Sequence, residues 1–317
     1  MKVIIGYDGS ESARDAIREL QRAGLPRDTQ ATIVSVADVW PRRIADSVEA
    51  GIPASGWQQA PIVRKARALA EAAITEARAV AAEGEAIVAA EFPSWTVSHI
   101  TYAGSPYEVL IGQTEERPDL IVVGSQGRSS LGRLVFGSVS QKVLMHAACS
   151  VRISRRPPAD APPRSGALRI IVGIDGSRHS ALAVSAVASR VWPSSTEVKV
   201  IAALDIKLLS VLASPAPSPW VRPWLNSAPS DDDGRAWARH ATEAVADELR
   251  AVGLSATPVV EEADAKQLLL QEAERWSTDC IFLGGKGQSA IERFLLGSVS
   301  SSVAARAQCS VEIVRQG

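Results

Sequence analysis

Little in this chain could hold a metal or a disulfide framework. Its 317 residues include three cysteines, none in a CxxC, and four histidines, His99, His146, His179 and His240, at no metal-ligand spacing. A disulfide scaffold and a zinc site are not expected, and a reducing, cytoplasmic setting is. Charge of one sign is also lacking. Lys+Arg number 34 and Asp+Glu 35, for a net charge of −1, which argues against a general affinity for nucleic acid or an acidic membrane. No apolar run is long enough to cross a bilayer, and the one in MKVIIGYDGSESA is too short for a secretory leader. Several nucleotide and hydrolase signatures are missing too. In GGKGQS (284–289) Lys286 is followed by glycine and position 280 is cysteine, so there is no G-x4-G-K-[ST] loop. No G-x-G-x-x-G follows the first apolar run of either half, and no Ser-His-Asp order or carboxylate pair marks a hydrolase.

What the chain does contain is a repeat. KVIIGYDGSESARDAI at the N-terminus returns as RIIVGIDGSRHSALAV from Arg169, and HAACSVRIS (146–154) returns as RAQCSVEIV (306–314). Between the copies lies RRPPADAPPRSGA (155–167), whose prolines suit neither a sheet nor a helix interior. The reading is a first domain over 1–155, a proline-rich linker over 156–167 and a second domain over 168–317, each long enough for its own core.

Within each half, short apolar runs alternate with helical periodicity. In the first half, strands are expected at Val3–Tyr7, Ala31–Ala37, Thr96–Tyr102, Leu120–Gly124 and Ser150–Ser154. Helices are expected over Ser10–Ala23, from Pro61 to about Ala90, over Pro106–Glu116 and after Ser138. The long one carries an apolar stripe of Ile62, Ala66, Leu69, Ala73, Ala77 and Val80. Nearly continuous apolar strands separated by amphipathic helices predict an α/β fold, a parallel sheet covered on both faces. The second half repeats the order, with a proline-rich excursion at 214–234 that holds Trp220 and Trp224.

One spacing is kept twice. Gly124, Gly127 and Gly137-Ser138 follow G-x2-G-x9-G-S, as do Gly284, Gly287 and Gly297-Ser298. Glycines at the carboxyl end of a parallel strand allow close backbone approach, and a glycine-serine opening a helix presents N–H groups to an anion. The geometry suggests a phosphate cradle, with tight turns as the plainer alternative. Asp8-Gly9-Ser10 likewise suits either a ligand site or a turn with a helix cap. Cys149 and Cys309 read as small buried thiols.

With IIGYDGS and HAACSV, this motif resembles the universal stress protein family in its tandem form, over nearly the whole chain. The resemblance implies two doubly wound domains, each a five-stranded parallel sheet of order 3-2-1-4-5 with helices on both faces. It also implies the ATP-binding branch, with Mg2+ on the phosphates rather than on a metal site of the protein, and a stress-related regulator that hydrolyses ATP slowly or not at all. The binding positions it implies in the first half are Gly6, Tyr7, Asp8, Val36, Val123, Gly124, Gln126, Gly127, Arg128, Gly137, Ser138, Val139 and Ser140. In the second half they are Gly173, Ile174, Asp175, Ala203, Leu283, Gly284, Lys286, Gly287, Gly297, Ser298, Val299 and Ser300. Asp8 and Asp175 would lie at the adenosine end, Val36 and Ala203 on the adenine, and the Gly-Ser-Val-Ser segments around the phosphates. The family's frequent histidine before the second glycine is Gln126 or Lys286 here, and its Gly-x-Pro after the third strand is kept as Gly104-Ser105-Pro106 but replaced by Glu262-Ala263-Asp264. The first half is expected to bind more tightly, because Val36 offers two more carbons to the adenine than Ala203. In addition, Glu261, Glu262 and Asp264 follow the second half's third strand, which is expected far from the cleft. Lys286 works the other way, as a cation able to reach a phosphate. Pairing of the last strands would join the halves as an intramolecular pseudo-dimer, and the whole chain could dimerise further. The rival reading is a pseudo-dimer that binds no nucleotide and acts through protein contacts.

Overall fold

The computed structural model describes residues 1–39, 61–113, 117–127, 136–155, 167–204, 231–285 and 296–316. The first half runs β1 (Lys2–Gly6), α1 (Glu11–Glu19), β2 (Gln30–Ala37), α2 (Pro61–Glu91), β3 (Thr96–Ala103), α3 (Pro106–Gly112), β4 (Leu120–Gly124), α4 (Ser138–His146) and β5 (Ser150–Ser154). The second repeats this as β6 (Arg169–Gly173), α5 (Arg178–Ala188), β7 (Glu197–Ala203), α6 (Asp231–Ala251), β8 (Ser255–Glu261), α7 (Ala265–Arg275), β9 (Cys280–Gly284), α8 (Ser298–Arg306) and β10 (Ser310–Val314). Each half is a doubly wound α/β unit with a five-stranded parallel sheet.

The two sheets are one. Ten strands run in the order β3-β2-β1-β4-β5-β10-β9-β6-β7-β8, so each half has the order 3-2-1-4-5. The single antiparallel junction sets Ile153 opposite Val311, Arg152 opposite Glu312 and Val151 opposite Ile313. This is the intramolecular pseudo-dimer expected from the repeat, and it covers strand edges that would otherwise be open.

Alternation along the strands builds two unlike faces. Ile4, Ile121, Val151 and Ile153 point to the side covered by α3 and α4, Ile171, Ile281, Val311 and Ile313 to the side covered by α7 and α8, and together they form one apolar layer across the junction. On the opposite side the apolar layer divides. Val3, Ile5 and Val122 pack under α1 and α2, while Ile170, Val172 and Phe282 pack under α5 and α6. Charge lies between those two clusters. Arg152, with no exposure, donates Nε to Glu19 (2.9 Å) and Nη1 to Glu312 (3.0 Å). Ser154 donates to Glu19 (3.0 Å), and Arg190 pairs with Glu312. The network is not two-fold symmetric: the first half contributes arginine to the junction where the second contributes glutamate.

A second set of contacts is reciprocal. Arg155 reaches the Ala304 carbonyl (2.5 Å) at the end of α8, and Arg315 reaches the Ala147 carbonyl (2.6 Å) beyond the end of α4. Each half thus supplies a cation to the carbonyl-rich end of a helix in the other.

Two expectations need correction. The stripe of α2 is as read only in part: Ala77 is buried and Ala73 and Val80 pack against the core, but Ile62 and Leu69 are exposed, and the buried positions are Ala70, Ile74, Ala77, Ala81, Gly84 and Val88. The helix is alanine-rich, so several phases fit its pattern, and the deciding contact lies elsewhere. A Cβ on Gly84 would lie 2.8 Å from the Tyr7 ring and 2.9 Å from Ile33, so this turn must face the sheet. The helix expected over 106–116 is described only as Pro106–Gly112. Most of the linker and most of the 214–234 excursion, including Trp220 and Trp224, lie outside the described residues.

Candidate functional site

The carboxyl ends of β1, β2 and β4 open into a cavity of about 440 Å³, the position where open parallel sheets take ligands. Of the expected first-half residues, Gly6, Tyr7, Asp8, Val36, Val123, Gly124, Gln126, Gly127, Gly137, Ser138, Val139 and Ser140 all line it. Arg128 lies outside the described residues.

The local geometry explains the glycine spacing. A Cβ on Gly124 would lie 2.7 Å from Ser12 Oγ and 3.0 Å from the Ser12 carbonyl, so this glycine lets β4 end against the first turn of α1. In the second half a Cβ on Gly284 would lie 2.5 Å from the His179 backbone. Two hydrogen bonds then pin the ends of the loop. Ser140 donates its hydroxyl to the Gly124 carbonyl (2.6 Å), and the Gly137 amide donates to the Ser125 carbonyl (2.8 Å). Ser300 to Gly284 (2.7 Å) and Gly297 to Gly285 (3.0 Å) repeat them. The same two bonds flank the nine-residue spacing in each copy. The described motif glycines use close approach rather than left-handed backbone: positive φ falls at Gly9, Gly24, Gly104, Gly176 and Gly253. Ser140 and Ser300, expected only around phosphates, are thus also buried struts.

Caps distinguish the helices at this edge. Ser10 accepts the Ala13 amide, Ser177 that of Ser180, and Asp264 those of Lys266 and Gln267. By contrast, α3, α4 and α8 start at Ser105, Gly137 and Gly297 with no side-chain cap. The start of α4 borders the cavity, so its first N–H groups and the positive end of its dipole face it. Asp8-Gly9-Ser10 is a turn and cap, Asp8 Oδ1 accepting the Ser10 amide (3.0 Å), and Asp8 also lines the cavity. The same turn is built by Asp175, Gly176 and Ser177.

At the other end the cavity is walled by Val34, Val36, Ala73 and Ala77, with Asp38 and Glu76 among its lining. Tyr7 is buried, and its hydroxyl has no hydrogen-bond partner among the described residues. Burial, and then the nearby Glu83 carboxylate, push its pKa up to about 12. The contribution of α2, namely Ala73, Glu76 and Ala77, was not read from the sequence; its signal is a pair of small residues one turn apart flanking an acid.

The loop after β3 is not far from the cleft, because Pro106 lines the cavity. Strand register also shifts the second-half counterpart of Gly104-Ser105-Pro106 by one residue. Val36 pairs with Tyr102 and Ala203 with Glu261, so the match is Ala263-Asp264-Ala265. Of the acids there, Glu262 is paired with Arg235 (2.6 Å) and Asp264 caps α7.

Gly173, Ile174, Asp175, Ala203, Leu283, Gly284, Gly297, Ser298, Val299 and Ser300 hold the corresponding places in the second half, while Lys286 and Gly287 lie outside the described residues. Among the described residues no group of His, Cys, Asp or Glu is placed to hold a metal ion, and no helix is long and apolar enough to cross a membrane.

Over its full length the chain resembles known proteins. It is 26% identical to the universal stress protein Rv2005c of Mycobacterium tuberculosis, over 99% of this chain and 97% of that one. A Mycolicibacterium smegmatis universal stress protein is 27% identical over 99% and 96% of the two chains. The crystal structure of a universal stress protein from Archaeoglobus fulgidus, 19% identical, has the same fold, with a TM-score of 0.63 over 100% of this chain and 98% of that one. The model of the universal stress protein family matches residues 1–155 and again 167–315. Two copies of that domain, joined back to back in one sheet, make this chain a tandem member of the universal stress protein family.

Proposed function

We propose that the first-half cleft binds an adenine nucleotide, with ATP carrying Mg2+ as the intended ligand, and that the chain acts as a nucleotide-responsive regulator in stress. The observation that carries this reading is the pairing, in one cavity, of a hollow walled by small and aliphatic residues with a helix start lacking a side-chain cap. A planar base fits between Val36 and the small residues Ala73 and Ala77, and Asp8 is placed for the ribose. The first N–H groups of α4, with the backbone of Gln126 and Gly127, suit phosphate oxygens. The described lining contributes the carboxylates of Asp8, Asp38 and Glu76 and no lysine or arginine, so a cation travelling with the phosphates would offset their repulsion. No arginine or lysine of the described lining stands ready to stabilise a transferring phosphoryl group. Turnover is therefore expected to be slow.

Mass spectrometry of small molecules released on denaturing freshly purified protein tests the ligand class. An adenine nucleotide supports the reading. An unrelated metabolite points to other chemistry in the cleft, and an empty protein favours the pseudo-dimer acting through its surfaces.

A further inference from the structure

The two clefts are not filled alike, and the difference lies in one side chain of α6. The buried positions Ala77, Ala81, Gly84 and Val88 of α2 match Ala238, Thr242, Val245 and Leu249 of α6 in order, each pair 161 residues apart. On that register Glu76, which borders the first cavity, corresponds to Trp237. Arg235 pairs with Glu262 just past the carboxyl end of β8 (2.6 Å), which fixes this turn of α6 at the ligand-binding edge of the sheet.

Trp237 is 5% exposed and belongs to the apolar cluster of Ile174, Ala202 and Ala238, with Leu204 packed against it. These residues correspond to Tyr7, Ser35, Ala77 and Ala37, all of which line the first cavity. Its indole Nε1 is buried with no hydrogen-bond partner among the described residues. Among the described residues its N–H contributes no hydrogen bond, so the contacts seen to hold it are apolar ones. The floor is also fuller. Leu283 stands where Val123 lines the first cavity, and its Cδ2 would lie 2.5 Å from a Cβ on Gly173. The smaller Ala203 in place of Val36 removes two carbons, far fewer than an indole adds.

We infer that Trp237 occupies the base pocket of the second half with a side chain of the chain's own, so that the protein takes one nucleotide, in the first half, and the second half keeps the fold and its glycine loop without the ligand. A flat aromatic group against β7 has the shape, though not the hydrogen-bonding atoms, of a purine. The inference rests on the reading of the first cleft as a nucleotide site, and Trp237 is the residue that sets stoichiometry.

Equilibrium dialysis of the full chain against MgATP, in the wild type and in the G127V, W237A and W237E variants, tests both. The expected result is one site in the wild type, weakened tenfold or more by G127V with no tight site remaining. A second site, within about tenfold of the first, should appear in W237A or in W237E, which places there the residue type the first half uses. Two comparable sites in the wild type would overturn the inference and leave the first-cleft reading standing. One tight site surviving G127V would overturn both the inference and the first-cleft reading, and a single site in both Trp237 variants, when circular dichroism shows them folded, would overturn the inference alone. No site in the wild type but one in W237A would uphold the role of Trp237 and overturn the first-cleft reading; no site in any protein would overturn both. If neither Trp237 variant folds, the wild-type and G127V counts still decide.

Discussion

Replacing Arg152 with methionine should loosen the junction between the halves. The guanidinium is completely buried, 2.9 Å from Glu19 on one side and 3.0 Å from Glu312 on the other, whose side chains are 9% and 1% exposed. Methionine fills much of the volume, but it leaves two carboxylates that have lost a shared cation. Glu19 keeps only Ser154 among the contacts described above, and Glu312 keeps Arg190. Removing one member of a buried ion network typically costs about 3–5 kcal/mol, because the remaining charge stays desolvated. For a chain of this size that corresponds to a fall in Tm of roughly 4–8 °C, provided the sheet unfolds as one unit. Differential scanning calorimetry of wild type and R152M gives the shift, and the double variant R152M/E19Q should recover part of it by neutralising the carboxylate left without a cation, Glu312 keeping Arg190. Exchanging the charges as R152E/E312R should not rescue stability. The network is asymmetric: an arginine at 312 would face Arg190 and a glutamate at 152 would face Glu19. A Tm for R152M within about 1 °C of wild type, below 1 kcal/mol on the same scale, would refute the claim that this network fastens the junction.

Other consequences follow from single contacts. Gly84→Ala should destabilise by about 1 kcal/mol despite alanine's better helix propensity, because the new methyl would lie 2.8 Å from the Tyr7 ring; urea melts of G84A and of G84A/Y7L, which relieves the clash, check it. In Y102F/Y107F, ultraviolet titration should show Tyr7 ionising near pH 12 rather than 10. Since the fold favours the neutral phenol, the stability Tyr7 supplies is complete below about pH 10 and lost as pH climbs through about 12. Cys149, Cys280 and Cys309 are all buried, and burial pushes the Cys149 thiol up to about 11. Ellman's reagent should therefore label no thiol in the native protein at pH 7.5 and three after denaturation.

Much of the fold was legible because each strand is a short apolar run bounded by glycine or a polar turn. Leu120–Gly124 and Ser150–Ser154 fall where the sequence puts them. The alanine-rich α2 was legible in phase only in part, since its buried face is set by Tyr7 and Ile33, residues on other elements. Arg152 and Glu312 stand out as charges within apolar strands, but only the antiparallel register shows that they face one another. The glycine motif was visible as spacing. What the sequence could not convey is that Ser140 and Ser300 tie the loop to the strand end sixteen residues back. Trp237 was unreadable for a similar reason, as its match to Glu76 depends on aligning two helices through the sheet beneath them.

The central claim is that the cavity beside Gly127 is the nucleotide site. A Cβ on Gly127 would lie 3.2 Å from Asp8 Oδ2, between the aspartate and the start of α4, so a valine would crowd the cleft with little effect on the core. Isothermal titration calorimetry of MgATP into wild type and G127V, with matched thermal melts to show both folded, measures this directly. Binding weakened tenfold or more, about 1.4 kcal/mol or above, with an unchanged Tm is the result the account predicts. Equal affinity in the two proteins would contradict it.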